Sequence, residues 1–231
     1  MSVTQNVSTV RHSEKQIAKK VPFAVSEAYK SIRTNLTSIL EKQKGSIVAF
    51  SSPGAAEGKS TTSLNTAISL SQLNRRVLLI DADAHRPSLH VRLRMPNDMG
   101  LMSVLTGLNT FDEAVKSYNP YLDVLTAGPL LKNSTEVLSS PEFERFVDET
   151  RPKYDYVVFD TPPVNVLSDP LVVAKKCDGL VLVVRSNVTT FDAVRKVIDS
   201  AEMLNINILG VIINGTELSR KGYYNGYYKG R

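Results

Sequence analysis

The stretch IVAFSSPGAAEGKSTT, residues 47–62, decides the fold of this 231-residue chain. Its apolar first part predicts a buried strand, and a helical pattern runs over residues 59–73. Between them, GKST at 58–61 is typical of a phosphate-binding loop, in which backbone N–H groups and a helix N-terminus surround phosphate oxygens. In such a loop Lys59 neutralises phosphate charge and the hydroxyl of Ser60 binds Mg²⁺.

The loop departs from the standard spacing, which has a glycine five residues before Gly58. Pro53 holds that position here, and Gly54 follows it. An ordinary glycine-containing turn between a strand and a helix is therefore the alternative interpretation. The strand before the loop and the helix after it favour phosphate binding, because these are the two elements that such a loop connects.

Outward from the loop, short apolar runs alternate with helical patterns. Strands this apolar are buried on both faces, and their alternation with helices predicts a mainly parallel β-sheet flanked by helices. We therefore predict an α/β fold of the P-loop NTPase class, as a single domain over residues 23–215. Further strands are predicted at 76–83, 122–128, 154–163, 179–186 and 207–215, and helices at 26–42, 141–150, 169–177 and 190–204, with two short helices within 84–120.

Acidic residues stand at the ends of two predicted strands. Asp81 and Asp83 end the strand RVLLIDAD, and Asp160 ends the strand YVVFD. Ligands of open parallel sheets bind beyond the carboxyl ends of the strands, so these carboxylates and the phosphate loop predict one pocket for a nucleotide and Mg²⁺. For any single aspartate, capping of the following loop or helix is the alternative.

The net charge of +5 comes entirely from the first 44 residues. That segment has eight basic and three acidic residues, whereas the rest of the chain has 20 of each, from totals of 28 and 23. A basic face spread over the folded body is therefore disfavoured, and with it a nucleic-acid-binding domain. We predict a mobile basic arm at residues 1–22 and no nucleic-acid partner.

Cysteine content and hydropathy disfavour proteins with disulfides, with cysteine-ligated metals or with membrane-spanning segments. The single cysteine, Cys177, cannot form an internal disulfide or a cysteine cluster for zinc or iron–sulfur ligation. No apolar run approaches the roughly 18–20 residues that cross a bilayer, and the N-terminus lacks the apolar segment of a secretory signal. We therefore expect a reduced, cytoplasmic, soluble protein.

The chain resembles the bacterial tyrosine kinases of capsule and exopolysaccharide synthesis, and more narrowly their free-standing cytoplasmic kinases of Gram-positive type. The resemblance covers about Ser26 to Arg231 and rests on SPGAAEGKSTT, LLIDADAHRP and VVFDTPP, with SEAYKSIRTNL ahead and YYNGYYKGR behind. It implies a protein tyrosine kinase that uses ATP and Mg²⁺, autophosphorylates its C-terminal tyrosines in trans, and regulates polysaccharide synthesis and export.

The resemblance also implies roles for individual residues. The catalytic residues would be Asp81, Asp83 and Lys59, with Asp81 acting on the hydroxyl of the attacking tyrosine. The nucleotide would be bound by Gly58, Lys59, Ser60, Thr61, Arg86 and Asn214, with Asn214 at the adenine. Mg²⁺ would be held by Ser60, Asp83 and Asp160. Ala56 stands where a glycine is usual in the family's loop.

Four of the nine tyrosines lie among glycines in the last nine residues, at Tyr223, Tyr224, Tyr227 and Tyr228. We interpret residues 216–231 as a flexible tail whose tyrosines are the phosphoacceptors. A tail that packs on its own surface or on a partner is the alternative.

The predicted helix 26–42 carries the family's subunit-contact spacing, which matches at Glu27, Lys30 and Arg33, with Lys30 where an arginine is usual. The resemblance thus implies a ring-shaped homo-oligomer that brings one subunit's tail to its neighbour's site. A solvated polar face on a helix that packs on the core is the alternative.

The expected partners follow from the family. They are a transmembrane protein of the chain-length-determinant, or polysaccharide co-polymerase, type, a cognate tyrosine phosphatase, and protein substrates of polysaccharide synthesis. The membrane partner would activate the kinase and hold it at the inner face of the cell membrane.

The alternative function is a non-kinase ATPase switch of the division-site or plasmid-partition type, which shares the core motifs. The tyrosine tail favours the kinase, since such a switch needs no tyrosine cluster. Partition ATPases also carry an additional lysine soon after the first glycine of the loop, where this chain has Gly54 and Ala55.

Overall fold

The computed structural model describes residues 23–216, so the predicted arm at 1–22 and the four tail tyrosines lie outside the described residues. Seven strands form one sheet in the order β3-β4-β2-β5-β1-β6-β7. The elements are α1 Phe23–Gln43, β1 Ile47–Ser51, α2 Lys59–Ser71, β2 Val77–Asp81, α3 Leu89–Leu93, α4 Leu101–Leu105, α5 Phe111–Ala114, β3 Lys116–Asn119, β4 Leu122–Leu125, α6 Ser134–Leu138, α7 Pro141–Thr150, β5 Tyr156–Asp160, α8 Asp169–Ala174, β6 Gly179–Arg185, α9 Phe191–Met203 and β7 Ile208–Asn214.

Two apolar cores lie on opposite faces of the sheet, because successive side chains of a strand point to opposite sides. In β1, Ile47 and Ala49 belong to the core that includes side chains of α4, α7 and α8, whereas Val48 and Phe50 belong to the core that includes side chains of α1 and α2. All four side chains are fully buried. Burial on both faces explains the unbroken apolar strands, and the predicted α/β fold with a mainly parallel sheet is confirmed.

The strand order brings the predicted site together. Strands β2, β5 and β1 are parallel neighbours, so their carboxyl ends meet at one edge of the sheet. Asp81 and Asp160, the last residues of β2 and β5, are paired in register, and the phosphate loop leaves β1 directly beside them. Residues far apart in sequence therefore share one edge.

Helix α1 packs against the body along α2 and β7. Leu36 and Leu40 are buried in the core, and Arg33 Nη1 donates a hydrogen bond of 2.8 Å to the carbonyl of Ser69 in α2. The helix begins at Phe23, three residues before the predicted Ser26. Within residues 23–216, no helix is both long and apolar enough to span a membrane.

The region 84–120 differs most from the prediction. It holds the three helices α3, α4 and α5 instead of two, and it ends in β3, which pairs antiparallel with β4. The sequence KSYN of β3 carries no apolar alternation, because this strand lies at the sheet edge and is only partly buried. Helix α6 was also not predicted, since its five residues are too few to show a helical period.

Candidate functional site

The loop between β1 and α2 has two residues in the left-handed backbone region. Gly58, which precedes the first residue of α2, has φ of 100°, and Ala56 has φ of 61°. Alanine adopts this region at a cost of roughly 1–2 kcal/mol, whereas glycine adopts it freely. The backbone at Ala56 thus has the conformation that a glycine favours, although the residue is alanine.

Gly58 is also required by its surroundings. A Cβ atom added at this position would lie 2.0 Å from Nδ2 of Asn214, far inside van der Waals contact. Asn214 is the last residue of β7, so the end of this strand lies directly against the phosphate loop. A side chain at position 58 would displace the Asn214 amide from this position.

Lys59 begins α2 and reaches across to two carboxylates. Its Nζ lies 2.9 Å from Oδ2 of Asp83 and 3.8 Å from Oδ1 of Asp160, and it donates a 3.2 Å hydrogen bond to Ser60 Oγ. Burial lowers the pKa of Lys59, but Asp160 and Asp83 outweigh that effect and raise its pKa above the ordinary value. Lys59 is therefore a fixed positive charge at the N-terminus of α2.

Asp160 is fully buried, and neither of its carboxylate oxygens accepts a hydrogen bond from the residues that the structure describes. Burial raises its pKa above the ordinary value, with Lys59 acting in the opposite direction. Unsatisfied buried oxygens beside a serine hydroxyl fit a hard cation such as Mg²⁺.

The carboxylate of Asp83 and the hydroxyl of Ser60 lie close by, since each is within hydrogen-bonding distance of Lys59 Nζ. In the described part of the chain, no group of three or more His, Cys, Asp or Glu side chains has a metal-binding arrangement. Mg²⁺ at nucleotide sites is bound by one or two carboxylates together with substrate phosphates, so the residues present fit that mode.

Asp81 has a different environment from Asp83. It is fully buried and accepts backbone N–H hydrogen bonds from Asp83 at 3.1 Å and from Ser88 and Leu89 at 3.0 Å each. Burial raises its pKa to about 7, Asp160 adds to the increase, and the backbone hydrogen bonds act against it. Asp81 therefore organises the loop after β2, and its pKa of about 7 lies near neutral pH.

The remaining predicted nucleotide ligands lie around this centre. The backbone N–H of Arg86 donates to Oδ1 of Asp83 at 2.9 Å, which places Arg86 on the same loop. Thr61 Oγ1 accepts a 3.0 Å hydrogen bond from Nη1 of Arg92 in α3. Sequence analysis did not identify Arg92 as a site residue, because nothing in the local pattern links α3 to α2.

Residues from outside the phosphate loop also hold it in place, and Asn165, Arg185 and Thr189 among them were not predicted. Buried Glu57 accepts hydrogen bonds from Gly54 N at 2.8 Å and from the hydroxyl of Thr189. The guanidinium of Arg185 donates to the carbonyl of Ala56 at 3.3 Å. The backbone N–H of Asn165 and the side chain of Asn214 donate to the carbonyls of Pro53 and Glu57, at 3.2 and 2.9 Å.

The predicted subunit-contact residues lie on α1, away from this centre. Glu27 and Lys30 form an ion pair of 2.7 Å, and each side chain is almost half exposed. Arg33 contacts Ser69 within the same chain. The structure thus gives Arg33 an internal role, and it leaves Glu27 and Lys30 at the surface.

The chain is similar in sequence to a protein family and to two bacterial proteins. The family model described as an AAA domain matches residues 45–208. Tyrosine-protein kinase YwqD of Bacillus subtilis (strain 168) is 38% identical over 206 residues, which cover 88% of this chain and 86% of that protein. Tyrosine-protein kinase CpsD of Streptococcus agalactiae is 30% identical over 207 residues, which cover 88% and 90%.

Solved structures give the same relationship. The kinase domain of Escherichia coli tyrosine kinase ETK matches with a TM-score of 0.81 at 28% identity, covering 88% of this chain and 80% of that one. The chimerical protein CapA2B2 matches with a TM-score of 0.77 at 31% identity, covering 84% and 85%. The septum site-determining protein MinD of Pyrococcus horikoshii, complexed with Mg-ADP, matches with a TM-score of 0.62 at 20% identity, covering 73% of this chain and 69% of that one. At this identity the match shows the fold alone.

We predict that Asp160→Asn raises the melting temperature of the nucleotide-free protein at pH 8. A carboxyl group whose pKa is raised by folding adds stability below its unfolded pKa, and this stability is lost as the pH rises through the folded pKa. The amide of asparagine does not ionise, so the variant does not lose stability in this way as the pH rises. Each kcal/mol shifts the melting temperature by about 2–4 °C for a chain of this size, measurable by circular dichroism.

Asp148→Asn is the matched control, since Asp148 is exposed in α7. The difference in melting temperature between the Asp160→Asn variant and the wild-type protein should shrink at pH 5. An equal or lower melting temperature for Asp160→Asn at pH 8 would contradict the unfavourable burial of this carboxylate.

Proposed function

Since the chain belongs to the family of bacterial tyrosine-protein kinases, we propose that it autophosphorylates its own tail in trans and thereby regulates capsular or exopolysaccharide synthesis and export. The relatives at 38% and 30% identity are named tyrosine-protein kinases. The observation that carries the proposal is the position of Lys59 at the head of α2, 2.9 Å from Asp83 and 3.8 Å from Asp160. Phosphoryl transfer needs charge neutralisation and in-line positioning of the reacting groups, which Lys59, Mg²⁺ and the carboxylates can supply.

We propose that ATP places its phosphates at the N-terminus of α2. Backbone N–H groups from Gly58 to Thr61 and the ammonium of Lys59 would bind the phosphate oxygens, because both are positive at this end of the helix. Ser60, Asp83 and Asp160 are the proposed ligands of Mg²⁺. When bound, Mg²⁺ would neutralise phosphate charge.

In the proposed transfer, the phenolic oxygen of tyrosine forms a bond to the γ-phosphorus. The bond between that phosphorus and the β–γ bridging oxygen breaks, ADP leaves, and the phenolic proton passes to the carboxylate of Asp81. The pKa of tyrosine is about 10, so a carboxylate helps to orient the hydroxyl and to accept its proton during transfer. The raised pKa of Asp81, about 7, supports this role, since a more basic carboxylate is a better proton acceptor.

The proposed acceptors are Tyr223, Tyr224, Tyr227 and Tyr228, which lie outside the described residues. The chain reaches the end of β7 at Asn214, next to the phosphate loop, so the tail starts beside the site of its own subunit. Transfer in trans places the acceptor of one subunit in the site of a neighbour. We propose that Glu27 and Lys30, which are exposed, form this subunit contact together with Arg33, whose guanidinium also binds the carbonyl of Ser69 in its own chain.

The family resemblance supports the remaining assignments. We propose a transmembrane chain-length-determinant protein as activator and membrane anchor, a tyrosine phosphatase that reverses the modification, and polysaccharide-synthesis proteins as further substrates. The kinase would then act at the cytoplasmic face of the membrane. The alternative of an ATPase switch has less support, because the match to the septum site-determining protein is 20% identical.

We predict that Lys59→Met reduces phosphotyrosine formation by roughly 100-fold or more, because the variant removes the charge that faces the phosphates. The assay uses purified protein, ATP and Mg²⁺ with anti-phosphotyrosine detection, alone and with the cytoplasmic peptide of a candidate membrane partner. Lys175→Met, at an exposed lysine that follows α8, is the control and should retain activity.

Two outcomes would count against the kinase assignment or its site. Wild-type protein that forms no phosphotyrosine under either condition would refute the activity itself. Signal that persists in Lys59→Met would show that the phosphate loop is not the site.

We predict that replacing all four tail tyrosines with phenylalanine removes most autophosphorylation, because the tail carries the acceptors. When this variant is mixed with Lys59→Met, its intact site should phosphorylate the intact tail of the other chain, as mass spectrometry would show. An unchanged signal would place the acceptor at Tyr29, Tyr118, Tyr121, Tyr154 or Tyr156. A mixture without phosphorylated Lys59→Met chains would contradict transfer in trans.

We predict that the rate of autophosphorylation rises with pH and levels off above about pH 8. The carboxylate form of Asp81 accepts the proton, and with a pKa of about 7 this form is lost as the pH falls through 7. The rate is measured in a single turnover at saturating ATP. Residual activity of Asp81→Asn should lack this pH dependence, and if it keeps the same midpoint, another group accepts the proton.

A further inference from the structure

Asn214 ends β7, the last strand of the sheet, and both ends of its side-chain amide are engaged within the protein. Nδ2 donates to the carbonyl of Glu57 in the phosphate loop at 2.9 Å, and Oδ1 accepts from the backbone N–H of Gly215 at 2.8 Å. The same Nδ2 occupies the space that a side chain at Gly58 would need. The amide is therefore fitted against the Glu57–Gly58 peptide.

This contact acts on a peptide group that nucleotide binding needs. A peptide is planar and trans, so its carbonyl and N–H point in opposite directions. Fixing the carbonyl of Glu57 towards β7 also fixes the direction of the Gly58 N–H. That N–H is one of the backbone donors that a phosphate loop presents to its anion.

The loop needs such fixation because its backbone is not locally favoured. Ala56 has φ of 61° without being glycine, and strained residues of this kind persist only where the surrounding structure determines them. Arg185 donates to the carbonyl of Ala56, and Thr189 donates to the side chain of Glu57. The segments at the ends of β6 and β7 thus hold consecutive residues of the loop from one side.

We propose that Asn214 is a positioning residue of the phosphate loop, and that it strengthens binding of the triphosphate whatever base the nucleotide carries. This assignment replaces the expected contact with adenine. It rests on the proposed ATP site, because it concerns how that site is held in shape. Its consequence is specific: the loss of the Asn214 amide weakens a triphosphate that has no base as much as it weakens ATP.

The experiment measures binding by isothermal titration calorimetry in the presence of Mg²⁺, with ATP, GTP and inorganic tripolyphosphate as probes. We expect Asn214→Ala to weaken all three by a similar factor, about tenfold, which is the order of one lost hydrogen bond. Amide hydrogen exchange over residues 54–60 of the nucleotide-free protein should become faster. Asn214→Leu, which keeps the side-chain volume without a donor, should behave in the same way.

Asn207→Ala is the matched control. Asn207 directly precedes β7, at its other end, and its Nδ2 donates to Gln43 instead of the loop, so all three affinities should be unchanged. Thermal unfolding of each variant by circular dichroism identifies any that does not fold, and either folded Asn214 variant is sufficient for the test.

Three results would overturn the inference. Weaker ATP binding with unchanged tripolyphosphate binding would show that Asn214 contacts the base, as would a loss of preference between ATP and GTP. Unchanged affinities and exchange would show that the contact has no role in binding. Wild-type protein that binds neither ATP nor tripolyphosphate would refute the proposed function itself, a result distinct from the other two.

Discussion

The structure of the site depends on the balance between one ammonium group and buried carboxylates at the ends of adjacent strands. Removing a carboxylate from water is costly unless an opposite charge or hydrogen-bond donors replace its hydration. Lys59 supplies that charge for Asp83 and Asp160, whereas backbone N–H groups donate hydrogen bonds to Asp81. Because β2, β5 and β1 are neighbours, a single lysine at the start of α2 reaches both carboxylates.

Most of the sheet was predictable because most of its strands are unbroken apolar runs in the sequence, and the central strands β1, β2 and β5 are buried on both faces. Lys59, Ser60, Asp83 and Asp160 were predictable as one site, since they follow strands whose carboxyl ends share an edge. Strand β3 was not predictable, because its sequence KSYN contains no apolar run. The contacts of Arg185, Thr189 and Asn214 with the phosphate loop join residues 129, 132 and 157 positions apart, and no local pattern encodes them.

The helices differ in how their first backbone N–H groups are satisfied. Helices α5, α7 and α9 are preceded by the N-cap residues Thr110, Ser140 and Thr190. The hydroxyl of each N-cap accepts a hydrogen bond from a backbone N–H group in the first turn. Helix α2 begins after Gly58 without a side-chain cap, and α3, α6 and α8 also lack one. The first N–H groups of α2 are thus left for an anion, and Ala56 and the buried carboxylate of Asp160 lie close to them.

The attachment of the phosphate loop to β6 and β7 has a consequence for synthesis of the chain. A ribosome completes residues 53–60 long before Arg185, Thr189 and Asn214, so a nascent chain has the nucleotide-binding motif without the contacts that shape it. The loop reaches its final geometry only when the last strand joins the sheet. The loop therefore gains its contacts with Arg185, Thr189 and Asn214 only after the whole folded body has been synthesised.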